Sequence, residues 1–237
     1  MKPYDRGIRR VVTAGLLLAI TLLLTFTNVA FIPVPTPAGS ATIGHIPAII
    51  GGILEGPLVG LVVGLGFGFG CFMNPLVTAV TNDPLVIWLP RLFIGVTAGW
   101  VFMLLRRANK RVLAVMLVLL ALLVLYYSYQ VGGKILWLGV LIAFLTGVGA
   151  MALYNWARGE DVTIISLAIA GVVGSLTNTI LVLSAAVWRK VPGIGPEVAL
   201  GVGLTQGIPE AIISAIVVVA VVSALRQIGK RRRGSRL

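Results

Sequence analysis

Five polar side chains interrupt otherwise apolar runs in this sequence: Asn74, Arg91, Asn178, Gln206 and Glu210. A guanidinium, a carboxyl and three carboxamides can bind a small polar molecule, since a guanidinium grips a carboxylate or phosphate through paired N–H groups. They do not make a hydrolase. The chain has a single histidine, and it contains no HExxH, no GxSxG and no G-x-x-x-x-G-K-[ST]. Gly64, Gly66, Gly68 and Gly70 superficially match a dinucleotide-binding run, but no soluble strand precedes them. No nucleophile is paired with a base, so chemistry on the substrate is not expected, and neither is a cofactor or a bound metal.

The elements that must position these groups are membrane helices. The chain has 237 residues, is 58% hydrophobic and 11% charged, and has a mean hydropathy of +1.05. That leaves too little polar surface for a soluble domain. Apolar runs of roughly 17 to 25 residues, the length that crosses a hydrocarbon core of about 30 Å, recur along the chain. Strand alternation is lacking, which argues against a barrel. MKPYDRGIRR followed by VVTAGLLLAITLLLTF has the outline of a signal peptide. The apolar run, however, continues to about Phe31 into Pro33-Val34-Pro35 without a cleavage site, so it reads as a retained helix. The lone cysteine, Cys71, reads as a small buried hydrophobe.

Spans are expected at about 8–31, 45–54, 57–80, 84–105, 111–129, 135–156, 162–187 and 198–225. The fold class is therefore an all-α integral membrane protein of about eight transmembrane helices, a single domain over residues 1–237. The net charge of +12 lies in clusters at helix ends, around residues 2–10, 106–111 and 226–236. With eight spans, fifteen of the nineteen basic residues fall on one side. By the positive-inside rule that side, with both termini, is cytoplasmic. The charge therefore reports orientation and contact with lipid headgroups, not nucleic-acid binding.

Counting inward from the outer ends at 1.5 Å per residue puts all five polar groups about 9 to 18 Å below the outer surface. Polar residues at membrane depth are commonly functional, and together these suggest an outward-open polar cavity. Alternatives stand beside that reading. Arg91 and Glu210 can pair with each other, Asn74 can mark a helix break before Pro75, and Asn178 can join two helices. Trp88 and Trp188 can stack on a ligand ring or anchor at the interface. Asn82 lies in an outer loop suited to a lid. His45, before the second span, is either a helix-end hydrogen-bonder or a ligand contact. Gly60, Gly64 and Gly68 line one helix face, and Gly15 and Ala19 form a small-xxx-small pair. Each stripe either packs the bundle or docks a partner.

Three stretches, TIGHIPAIIGGILEGPLVGLVVGLGFG (42–68), NDPLVIWLPRLFIGVTAGWVF (82–102) and GIPEAIISAIVVVAVVSAL (207–225), resemble the substrate-binding S components of energy-coupling factor (ECF) vitamin transporters. The resemblance implies a six-helix bundle with a short second helix that turns at Glu55-Gly56-Pro57. Residues 111–156 then form a two-helix insertion between the family's fourth and fifth helices. It further implies that Gly15 and Ala19 stand in the place of the family's Ala-x-x-x-Ala motif, which meets a transmembrane T component. The ATP-driven work would belong to two cytoplasmic ATPase subunits, in a prokaryotic plasma membrane. The expected substrate is a water-soluble vitamin or related micronutrient: pantothenate is mildly favoured through Arg91, with folate and riboflavin behind it. The competing classes are a self-sufficient small-molecule transporter and a structural membrane subunit without a ligand.

Overall fold

The computed structural model describes residues 3–34, 39–107 and 162–234. The predicted insertion at 111–156 lies outside these residues. The chain divides into two compact units, one of residues 1–103 with 167–237 and the other of residues 104–166.

Helix α1 (Pro3–Phe26) is apolar through most of its length. Its buried hydroxyls, Thr21 and Thr25, each donate to the carbonyl four residues earlier, at 2.8 and 2.9 Å, so they sit in an apolar environment fully bonded. The chain turns at Asn28 and enters a small antiparallel hairpin, β1 (Phe31–Pro33) and β2 (Ser40–Thr42), which pairs Phe31 with Thr42 and Pro33 with Ser40. The sequence reading expected only a Pro-rich loop here and ended the first helix five residues later.

Helix α2 (Ile46–Glu55) is 10 residues long, and α3 (Pro57–Phe72) is 16. At 1.5 Å per residue they span about 15 and 24 Å, both short of a full crossing. Gly56, between them, has φ of +102°, a left-handed conformation that a side chain strains, and Pro57 starts the next helix with φ already set. The expected third span ends early: α3 stops at Phe72, and α4 (Pro75–Thr78) is a separate short helix. Helix α5 (Pro84–Leu105) has the bounds expected from the sequence. Helix α6 (Val162–Trp188) runs one residue beyond its expected end. The last expected span is composite: α7 (Pro196–Val202), a π-turn at Gly203–Gly207, and α8 (Ile208–Gly234).

Among the described residues, four helical stretches are long and apolar enough to cross a membrane: 7–26, 84–105, 163–188 and 196–228. The two shorter apolar helices, α2 and α3, pack between them around a core that includes Ile49, Val63, Phe67, Ile94 and Phe102. Glycines decide how closely α5 approaches. A methyl group at Gly60 would lie 2.6 Å from the Gly95 carbonyl, and one at Gly64 would collide with the carbonyl of Arg91. Backbone thus meets backbone, the packing that small residues permit in lipid. Large apolar side chains such as Val11, Leu58, Trp100 and Ile216 remain exposed on the outside, as a hydrocarbon solvent allows.

Candidate functional site: a polar cavity between α5, α6 and α8

Arg91 owes its pose to its neighbour. Pro90 lies inside α5 and has no N–H, so the Val86 carbonyl one turn earlier loses its helical partner. The Arg91 guanidinium fills that role, with Nη1 donating to the Val86 oxygen at 2.7 Å. Its carbon also lies 5.8 Å from the centroid of the Phe67 ring. Nε is buried with no hydrogen-bond partner among the described residues. Among the described residues no ion pair joins Glu210 to Arg91. The alternative in which those two charges close the bundle is therefore not the arrangement found.

Helix α6 brings Asn178, whose Oδ1 is likewise buried and unpartnered, and Thr179 beside it. Gln206 comes from the π-turn and Glu210 from the first turn of α8. A π-turn admits an extra residue per turn, and such turns are frequent at binding sites. Glu210 reaches across to the hairpin, where its Oε1 accepts the Thr42 backbone N–H at 2.6 Å. One wall of the site is thereby held to the β1–β2 segment.

These groups share one cavity, in which a water-sized sphere has about 110 Å³ to move. A single water needs about 10 to 15 Å³ on that measure, so the space suits a small organic molecule. Arg91, Asn178, Gln206 and Glu210 all line it, and each is at least nine-tenths buried. Ser40, Thr42, Thr81 and Thr179 complete the polar lining, with aliphatic side chains and Phe31 around them. The sequence reading did not name these hydroxyls as ligand contacts. Thr179 could have been found from its place beside Asn178, whereas Ser40 and Thr42 carry no local signal.

The other candidates lie elsewhere. Asn74 is a structural hub: its side chain donates to the Thr25 carbonyl at 2.8 Å and to Asn28 Oδ1 at 2.6 Å, and it accepts the Leu76 N–H at 2.9 Å. It caps α4 and ties that helix to the end of α1. His45 is fully buried, with Nε2 placed 3.1 Å from Ser175 Oγ and 2.9 Å from Ser214 Oγ. Those serines lie on α6 and α8, one helical turn from Thr179 and Glu210, so His45 joins α2 to both cavity walls from beneath. Trp88 stands edge-on to Phe72, half-buried. Asn82 is exposed beside Thr81. Trp188 is 71% exposed with Arg189 against its ring. None of these five is on the cavity lining among the described residues.

At the same end of the bundle, Arg189 pairs with Asp83, which also caps α5 through the Leu85 N–H. Hydrogen bonding from Arg189 holds the Asp83 carboxyl below its ordinary range. At the opposite end, Arg9 pairs with Glu55 at 2.8 Å and fixes the start of α1 against the α2–α3 turn. Gly15 and Ala19 are exposed on α1, and a methyl group at Gly15 would meet nothing within 4 Å. By contrast, Gly60 and Gly64 are spent on packing against α5.

Apolar helices of spanning length around a cavity with a few buried polar side chains define a multi-pass membrane protein. Residues 9–222 match the family model of the ECF transporter substrate-specific component, and the chain belongs to that family. It is thus a substrate-specific membrane subunit of the ECF transporters. No curated protein matches the sequence.

Proposed function

We propose that this protein captures a water-soluble vitamin or related micronutrient from outside the cell, in the cavity between α5, α6 and α8. A T component and two ATPase subunits then drive its uptake. The observation that carries the reading is the convergence of Arg91, Asn178, Gln206 and Glu210 on the lining of one cavity; Arg91 Nε and Asn178 Oδ1 are, with His45 Nδ1 outside it, the buried side-chain atoms without a partner among the described residues. Leaving such groups unsatisfied is costly, more so for a charged one, and a ligand removes that cost. Arg91 takes a carboxylate or phosphate of the ligand; Asn178, Gln206 and Glu210 take its polar remainder. Pantothenate fits the anionic requirement best of the three vitamins considered, ahead of folate and riboflavin.

The cavity opens outward in this reading, with both termini and the Glu55 turn on the cytoplasmic side, in a prokaryotic plasma membrane. Trp188, Asn82 and the β1–β2 hairpin form its outer rim. The exposed Gly15 and Ala19 offer α1 to the T component.

The test is to denature the purified protein, identify released small molecules by mass spectrometry, and titrate them back while following tryptophan fluorescence. A stoichiometric micronutrient that rebinds is the expected result. Arg91→Ala should weaken rebinding at least ~100-fold, the scale of losing a buried charged partner, while size-exclusion elution is unchanged. An unaltered affinity in that variant would remove Arg91 from the site. The absence of any bound or rebinding molecule would favour a structural subunit.

A further inference from the structure

Building on the proposed function, we infer that the ligand is an aliphatic monoanion bearing hydroxyl or amide N–H donors, and not a planar ring system or a polyanion. Among the described residues the cavity has one cationic group, Arg91, whose Nη1 is already committed to Val86 while Nε is unpartnered. That leaves guanidinium capacity for one anionic group. The remaining polar demand is of the opposite kind. Asn178 Oδ1 is an orphaned acceptor, and Glu210, with Oε1 held by Thr42, has a second oxygen that can take a donor. A ligand hydroxyl or amide N–H satisfies these atoms, whereas a second anionic group would face the Glu210 carboxyl at close range.

The rest of the lining argues against a ring. Val77, Val80, Val182, Leu183 and Ile194 are among its walls, and Phe31 is its one aromatic side chain among the described residues. Both tryptophans that could have stacked on a ring, Trp88 and Trp188, lie off the lining. Branched aliphatic walls bury methyl groups well, and they offer no flat pair of faces to hold a heterocycle.

The experiment uses the full chain in detergent, freed of bound small molecules, with four probes: pantothenate, its alcohol counterpart lacking the carboxyl group, its phosphate ester, and riboflavin. Pantothenate is expected to bind. The alcohol should bind at least ~100-fold more weakly, because it leaves Arg91 unpaired. The phosphate ester should be rejected, and Glu210→Gln, which keeps an oxygen for Thr42, should restore at least ~10-fold of its affinity. Another aliphatic monocarboxylate with hydroxyl or amide groups, found among the released molecules, also supports the inference. Tighter binding of riboflavin or of the phosphate ester overturns it while leaving the capture function standing. If nothing is released and no probe binds, both fall.

Discussion

Arg91 shows how one residue inherits its role from the next. Pro90 frees the Val86 carbonyl, and the guanidinium is drawn back along α5 to satisfy it, which leaves Nε buried without a partner among the described residues. Pro90→Ala would return an N–H to that carbonyl and release the anchor. Stability is expected to hold or rise, while affinity for the released micronutrient falls roughly tenfold, or about 1.4 kcal/mol. Comparing melting temperature with a binding titration separates the two effects. Asp83 gives a pH dependence at the rim. Its carboxyl is held below the ordinary value of about 3.9 by Arg189, so the folded-state value is depressed relative to the unfolded one. The linkage therefore stabilises the rim fully above that ordinary value, and the contribution is lost as pH falls through the lower folded value. The hydrogen-exchange protection factors of residues 189–195, corrected for the intrinsic rate at each pH, should fall below about pH 4 in the native chain. In Asp83→Asn they should already be low at neutral pH; equal protection in both would rule the pair out as a latch.

At the scale of elements, much was legible and the exceptions have physical reasons. Pro57 and Pro84 mark helix starts that the structure reproduces to the residue, because proline suits a first turn and disrupts an interior. Arg91, Asn178, Gln206 and Glu210 stood out because polar groups in apolar runs are rare, and they do converge on one cavity. Asn74 stood out for the same reason yet serves as a cap, since sequence depth alone does not say which way a side chain faces. The hairpin was hidden because its three-residue strands are flanked by prolines and too short to alternate visibly. The π-turn was hidden because an apolar run has the same appearance at either helical pitch. His45 was visible, but its partners Ser175 and Ser214 were not: a small hydroxyl in a greasy helix usually bonds its own backbone. The glycine register of α3 was legible as a stripe, and the structure resolves its two readings in favour of packing. Gly64→Leu would push α5 outward at the carbonyl of Arg91 itself. A loss of about 1 to 3 kcal/mol in stability is expected, together with weakened ligand binding. Thermal unfolding with and without ligand checks both, and an unchanged melting curve would show that the α3–α5 contact is looser than drawn.

For the whole molecule, the proposed function divides the work between the cavity, for capture, and the exposed stripe on α1, for assembly. The polar cavity draws on α5, α6, α8 and the hairpin, whereas Gly15 and Ala19 lie on α1 and touch none of its lining. Gly15 and Ala19 are exposed among the described residues, and a methyl group at Gly15 would meet none of them within 4 Å; close approach of a helix from another chain there depends on the missing side-chain volume. Replacing both residues by leucine adds bulk only to that open face, so the isolated subunit should keep its melting temperature and its ligand affinity. Co-purification with the T component and ATPase subunits should fall at least tenfold, and ATP-dependent uptake into vesicles with it. Loss of ligand binding in Gly15→Leu/Ala19→Leu would show instead that α1 shapes the cavity. Unimpaired co-purification would move the docking surface to another face of the bundle.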